Sequence, residues 1–295
     1  MKIPFLNSQI SIVDASYAKN LVGTNDTYSE LLTSFDLQAK IKSIRCPKTT
    51  KDYLSNAQRY LYDWKDYEKL YLKNIIDLTE KQIKKKQYRF DLPDEIFIIK
   101  SAMHEEGNAN GFTRENYIVL NYNSLSAHLF EHELFHIISR YNSNKIKEAY
   151  AILGFKACNE VEVPSTLIDL KITNPDAPFN NYYIKVDYEN TTVETIMILY
   201  STRIYEGGNF FSYINKGLMI IEGNEDSKKA VIRNGAPILL GYDEVDKLFD
   251  QIGSNTEYNI HQEEITAEHF SMALHDIKDL PNQQLVDNLN QVFIK

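Results

Sequence analysis

Apolar residues return at steps of three and four along two early stretches of the chain, Thr27 to Lys42 and Lys51 to Lys86. That spacing marks one face of an α-helix. In the second stretch Tyr60, Leu61, Trp64, Tyr67, Tyr71 and Ile75 form the stripe, read as core packing rather than as the wall of a substrate groove. Pro93 closes the helical region, and the pattern then shortens. Ile96 to Lys100 (IFIIK) and Tyr117 to Tyr122 (YIVLNY) are short runs of β-branched and aromatic residues, and each predicts a strand. Between them lies a polar, glycine-bearing loop, His104 to Gly111.

Leu129, Phe130, Phe135, Ile137 and Ile138 then predict a helix buried on most sides, with Ser124 or Ser126 placed to cap it. Glu148–Phe155, Thr192–Tyr205, Asp243–Ile252, Ile265–Ile277 and Pro281–Phe293 also read as helices, the second and third ended by glycines. Asn174 to Pro178 (NPDAP) is a turn-rich loop, and Phe211 to Ile221 is ambiguous, with a strand the nearer fit. The sheet thus precedes the buried helix, and helices dominate after it. The expectation is an α+β fold, predominantly helical and two-lobed. An N-terminal lobe would span 1–141, and a mostly helical C-terminal lobe 142–295.

At 295 residues the chain can bury a large core. A net charge of -9 argues against a nucleic-acid partner, since nothing neutralises phosphates in bulk. The basic run Lys81 to Lys86 falls at the end of a helical pattern, where cations complement the helix C-terminus. The N-terminus lacks an uninterrupted apolar core, and no apolar run is long enough to span a bilayer. A cytoplasmic protein with no membrane partner is expected. Cys46 and Cys158 fall in no metal-ligand spacing and are read as free thiols of a reducing compartment.

The chemistry sits on the buried helix. His132-Glu133-Leu134-Phe135-His136 reads H-E-x-x-H. Two imidazoles one helical turn apart can reach a single zinc ion, and the glutamate between them is placed as general base for a metal-bound water. A catalytic zinc site needs a third protein ligand. His128 would extend the histidines over two turns, about 12 Å, too far for one ion, so it is assigned to the surroundings of the site. Glu160 and Glu162 are near in sequence. Glu264 and Glu268 lie four apart on a predicted helix, so one can bind zinc while the other holds a ligand histidine. That pairing, with the small Ala267 allowing close helix approach, favours Glu264 as ligand and Glu268 as its support.

HELFH with a downstream EITAE resembles the gluzincin group of zinc metallopeptidases, whose signature is H-E-x-x-H on one helix and a glutamate ligand on a later one. Glu264 matches the ligand position. Glu268 stands where aspartate is commoner. The metzincin extension is absent, because Ile-Ile-Ser-Arg-Tyr follows His136. The resemblance implies one zinc ion on His132, His136 and Glu264, hydrolysis of a peptide or protein substrate, and a tyrosine or histidine stabilising the oxyanion. Tyr182, Tyr183 and His261 are candidates for that last role, with Tyr183 preferred and His261 next. A non-catalytic zinc protein and a zinc hydrolase of non-peptide substrates are the competing expectations.

Overall fold

The chain opens with an antiparallel pair that its short alternating runs did not announce, β1 (Lys2–Phe5) and β2 (Ser8–Ile12). In the computed structural model, which describes residues 1–44 and 48–294, four short helices follow: α1 (Ala15–Val22), α2 (Thr27–Glu30), α3 (Ser34–Ile41) and α4 (Thr50–Ala57). Next come β3 (Leu61–Tyr62), the long α5 (Asp66–Lys86), β4 (Glu95–Ser101), β5 (Gly111–Arg114) and β6 (Tyr117–Asn121). These strands make one sheet in the order β1-β2-β4-β6-β5, with β3 also on β4. β2, β4 and β6 run parallel, while β5 pairs antiparallel with β6 at the edge. The central strands are buried along almost their whole length, as expected where helices cover both faces.

α6 (Ala127–Tyr141) carries the H-E-x-x-H motif; of the two serines considered, Ser126 caps it, accepting from the Leu129 N–H at 3.1 Å. After it come α7 (Ser143–Ile152), β7 (Lys156–Ala157) and α8 (Ser165–Ile168). A second sheet then runs through β8 (Tyr182–Tyr188), β9 (Thr191–Tyr200), β10 (Asn215–Glu222) and β11 (Lys229–Ala230). A small hairpin, β12 (Ile232–Arg233) with β13 (Ala236–Pro237), precedes β14 (Leu239–Leu240), which adds to β10. α9 (Leu248–Ile252), α10 (Gln262–Leu274) and α11 (Gln283–Ile294) end the chain.

The α+β class holds, but three expectations fail. The stretch Thr192–Tyr205, expected as a helix, is mostly β9, the centre of the second sheet. Its Thr, Val and Ile residues are β-branched, and pairing on both edges overrides the helical spacing. The region after the motif is therefore not mostly helical. Lys51–Lys86 is not continuous either, because a 3₁₀ turn and β3 separate α4 from α5. Of its aromatic stripe, Leu61, Trp64 and Ile75 are buried, whereas Tyr67 and Tyr71 are exposed at 66% and 48%. Lys84 and Lys86 end α5 in ion pairs with Glu80 and Asp276. Among the described residues no helix is long and apolar enough to cross a membrane. Cys158 is a free thiol; Cys46 lies outside the described residues.

The core that fixes the site is aromatic. Phe135 of α6, Phe270 of α10 and Phe293 of α11 are fully buried, with ring centroids 5.5 Å apart for Phe135–Phe270 and 5.2 Å for Phe270–Phe293. On the next face, buried Glu131 accepts from Thr79 of α5 and from Ser271 and the C-cap His275 of α10, tying two helices to α6. Phe270→Ala is expected to cost about 3–5 kcal/mol through the cavity it leaves. Urea unfolding of the two proteins measures this; a loss below about 1 kcal/mol would show that the cluster does not hold the helices together.

Candidate metal centre

α10 is an unusual helix. Gln262, Glu263, Glu264, Thr266, His269 and Ser271 are all buried along it, and a buried carboxylate is costly unless partners meet it. α6 supplies them. Ala267, fully buried, belongs to the main hydrophobic core. The Nε2 of His132 lies 2.9 Å from Glu264 Oε2, and the Nε2 of His136 lies 3.6 Å from the same oxygen. Donor atoms of these three residues all fall within 4.8 Å of one another. His136 Nε2 is buried with no hydrogen-bond partner, a condition that a bound metal relieves. Two imidazoles and one carboxylate are the donor set of an open zinc site.

Each histidine is oriented by its other nitrogen. His132 Nδ1 meets Glu268 at 2.9 Å, and His136 Nδ1 meets Glu263 at 2.8 Å. Ser139 donates to Glu263 at 2.6 Å, and the Tyr150 hydroxyl donates to its other oxygen. Asn174, from the NPDAP loop, donates to Glu264 Oε1 at 2.6 Å. Burial alone would lower the His132 pKa, but hydrogen bonds to Glu264 and Glu268 overcome it and push the ring up to about 10. Burial likewise opposes ionisation of Glu268, yet His128 and His132 bring it down to about 2. Glu264 is held well below the usual carboxylate range against its burial, by the charge of His136 and the hydrogen bond to His132.

Glu133 points from α6 toward the edge strand. Thr113 of β5 donates to its Oε2 at 2.7 Å, and a Cβ on Gly111 would come within 2.6 Å of its Oε1, so only glycine leaves that carboxylate its room. Burial raises the Glu133 pKa, the direction that suits a proton acceptor, with His136 and His132 opposing. Asp176 brings a further carboxylate beside Glu133 and His136. Burial, then Glu133 and Glu264, push its pKa up. His132 and Glu133 open on a cleft of about 520 Å³ bounded by Asn110, Gly111, His128 and Tyr258. The Tyr258 ring lies 5.8 Å from that of His132. Desolvation, then Glu264, Asp176 and Glu133, keep its hydroxyl protonated.

Comparison with protein-family models, curated proteins and solved structures returns no match. Function therefore rests on the site. The structure brings together His132, Glu133, His136, Glu264 and Glu268. It does not bring Tyr183 to them: that side chain is buried in the apolar cluster of Val161, Leu167 and Ile196, with Lys228 Nζ 4.7 Å over its ring. His261 is buried too and caps α10, its Nδ1 accepting from the Glu263 N–H at 3.3 Å. It lines a separate cavity with Arg140 and Tyr182, away from the cleft. His128 contacts Glu268 at 3.4 Å, as its place on the helix suggested. Glu160 accepts from the Asn180 N–H, and exposed Glu162 joins no metal-binding group. Thr113, Glu263, Asn174, Asp176 and Tyr258 escaped the sequence reading. Only Glu263 left a signal, as a second carboxylate adjoining Glu264.

Two outcomes follow from these contacts. Glu263→Gln is expected to weaken zinc binding roughly 10- to 100-fold, the usual effect of losing a ligand's hydrogen-bond partner; competition with a fluorescent chelator reads it, and unchanged affinity would remove that role. In protein stripped of metal by a chelator, the His132–Glu268 pair stabilises most between pH 4.5 and 6.5, the ordinary values of the two groups. Glu268's contribution is lost as pH falls toward about 2, and His132's as pH rises toward about 10. Thermal unfolding of the stripped protein should show its midpoint falling above pH 6.5; a midpoint that climbs to pH 9 would contradict this.

Proposed function

We propose that the protein is a zinc-dependent metallopeptidase of gluzincin type and two lobes, with His132 and His136 in the N-terminal one (1–141) and Glu264 in the C-terminal one (142–295). The observation that carries this reading is the position of Glu133: its carboxylate, held by Thr113, adjoins the histidine pair and lines the open cleft. A bound zinc ion there supplies a Lewis acid that acidifies water and polarises a carbonyl. Glu133 accepts the proton of the attacking water and delivers it to the departing amine. Thr113 keeps one carboxylate oxygen fixed so that the other faces the cleft. Tyr258, which lines the cleft as Tyr183 and His261 do not, would donate to the developing oxyanion.

A purely structural zinc site would be closed and would gain nothing from a buried glutamate beside its ligands. Hydrolysis of a non-peptide substrate would make no use of the outer edge of β5, whereas an edge strand next to the base suits a peptide backbone.

Glu133→Gln is expected to keep zinc near one ion per chain and to lower peptide hydrolysis by about 10²–10⁴-fold. Metal analysis alongside a cleavage assay decides; full activity in this variant would end the proposed mechanism. Tyr258→Phe should lower kcat by about 10²–10³-fold with KM little changed. A change confined to KM would assign Tyr258 to substrate binding instead.

A further inference from the structure

A second pocket opens off the cleft that Glu133 lines. Ala109, Gly111, Phe211 and Tyr258 belong to the lining of both spaces. Ala109 and Gly111 carry little or no side chain, and the Phe211 and Tyr258 rings are 47% and 45% exposed, so the passage is bordered by two small residues and two solvent-exposed rings. The pocket measures about 70 Å³ against about 520 Å³ for the cleft, room for one side chain rather than for a further stretch of chain. Its walls come from distant parts of the sequence: Phe112 of β5, Ile172 after α8, Leu199 of β9, Phe210 and Ile214 between β9 and β10, and Ile260 before α10. Ile172, Leu199 and Phe210 are buried in one apolar cluster, with the Phe35 ring of α3 behind Phe210 at 6.5 Å. That wall is fixed by core packing before any ligand arrives.

The polar side chains in the same lining are already engaged inside the protein. Lys40 of α3 is buried and ion-paired with Glu106, which also accepts from the hydroxyls of Tyr28 at 3.0 Å and Tyr53 at 2.5 Å. Thr173 donates to the Leu31 carbonyl at 3.2 Å, Asn174 donates to Glu264 at 2.6 Å, and Asp176 accepts from the Thr113 N–H at 2.6 Å. Lys40 and Glu106 lie side by side with opposite charges, so the pair presents little net charge to an acid or a base. A polar or charged side chain entering the pocket would give up water and meet groups committed to one another, a net cost. An apolar side chain gives up no hydrogen bond and gains burial.

We infer that this pocket takes the side chain of one residue next to the scissile bond, so that the protein cuts peptides beside an aliphatic residue of about leucine size. This rests on the peptidase reading. Ile214, half-buried in the wall and not among the residues lining the cleft, limits the size of the side chain accepted. Discrimination of this kind depends on how well one apolar group fills its pocket.

The test uses the full chain loaded with zinc and a pool of randomised decapeptides, with the cuts read by mass spectrometry. Wild type should favour leucine over alanine at one position beside the cut by about 10- to 200-fold, and should reject aspartate and lysine there at least as strongly. Ile214→Phe, which fills the pocket, should move the preference toward alanine. Ile214→Ala, which enlarges it, should raise phenylalanine relative to leucine. A loss of stability alone would not move the two variants in opposite directions. Apart from turnover, Glu133→Gln protein titrated calorimetrically should bind a preferred peptide about 10-fold or more tightly than the same peptide with alanine in that place. No aliphatic preference beside the cut, or a preference that both Ile214 variants leave unchanged, overturns the inference and leaves the peptidase reading standing. Absence of hydrolysis of every peptide by zinc-loaded wild type overturns both.

Discussion

The contact between α6 and α10 is the constraint on which the rest depends. It joins two histidines to three carboxylates in a setting where none of them could stay alone. A buried carboxylate without a partner would be protonated or would open the fold. Here Glu263, Glu264 and Glu268 each meet a ring nitrogen at 2.8–2.9 Å. The interface is thus polar at its centre and aromatic at its flank, where Phe135, Phe270 and Phe293 stack. The aromatic flank supplies the non-directional attraction, and the paired charges fix the register. A slip of one residue on α10 would put Glu263 or Ile265 in the place of Glu264, and Ala267 or His269 in that of Glu268.

Orientation is divided between the two nitrogens of each imidazole. With Nδ1 engaged by Glu268 or Glu263, the Nε2 atoms are turned toward Glu264. Support of this kind, from groups that would not themselves touch an ion, is what orients the ligands of a metal site in general. Tyr150 and Ser139 extend the support on the His136 side, and Asn174 extends it on Glu264. The NPDAP loop therefore does more than connect. Through Asn174 it braces the candidate ligand, and through Asp176 it occupies the edge of β5.

Glu133 depends on a different element, the edge strand. Thr113 holds its carboxylate, and the missing side chain at Gly111 leaves that carboxylate its space. β5 in turn is fixed at its far end by Arg114, fully buried and paired with Asp26 at 2.5 Å. Glu133 and the histidines thus come from α6, Glu264 from α10, and the support of Glu133 from β5, with a cleft beside them.

The H-E-x-x-H spacing by itself put two imidazoles and a glutamate on one helical face, because a helix repeats every 3.6 residues whatever surrounds it. The four-residue step from Glu264 to Glu268 was legible for the same reason. Both central strands around the glycine loop and the α+β class could also be read, since buried parallel strands are dense in β-branched residues. What local pattern could not supply was any relation across the chain. Thr192–Tyr205 has residues compatible with either state, and only its two neighbours in the second sheet made it a strand. Tyr183 was near the right loop in sequence but faces the wrong side of β8, while Tyr258 reaches the cleft from a segment with no pattern of its own. Glu263, Thr113 and Asp176 act through contacts that span 20 to 127 residues, distances at which spacing carries no information. The sequence by itself determined which groups can share a helical face; the tertiary structure decided which faces meet, because only packing brings distant carboxylates to the nitrogens that make their burial tolerable.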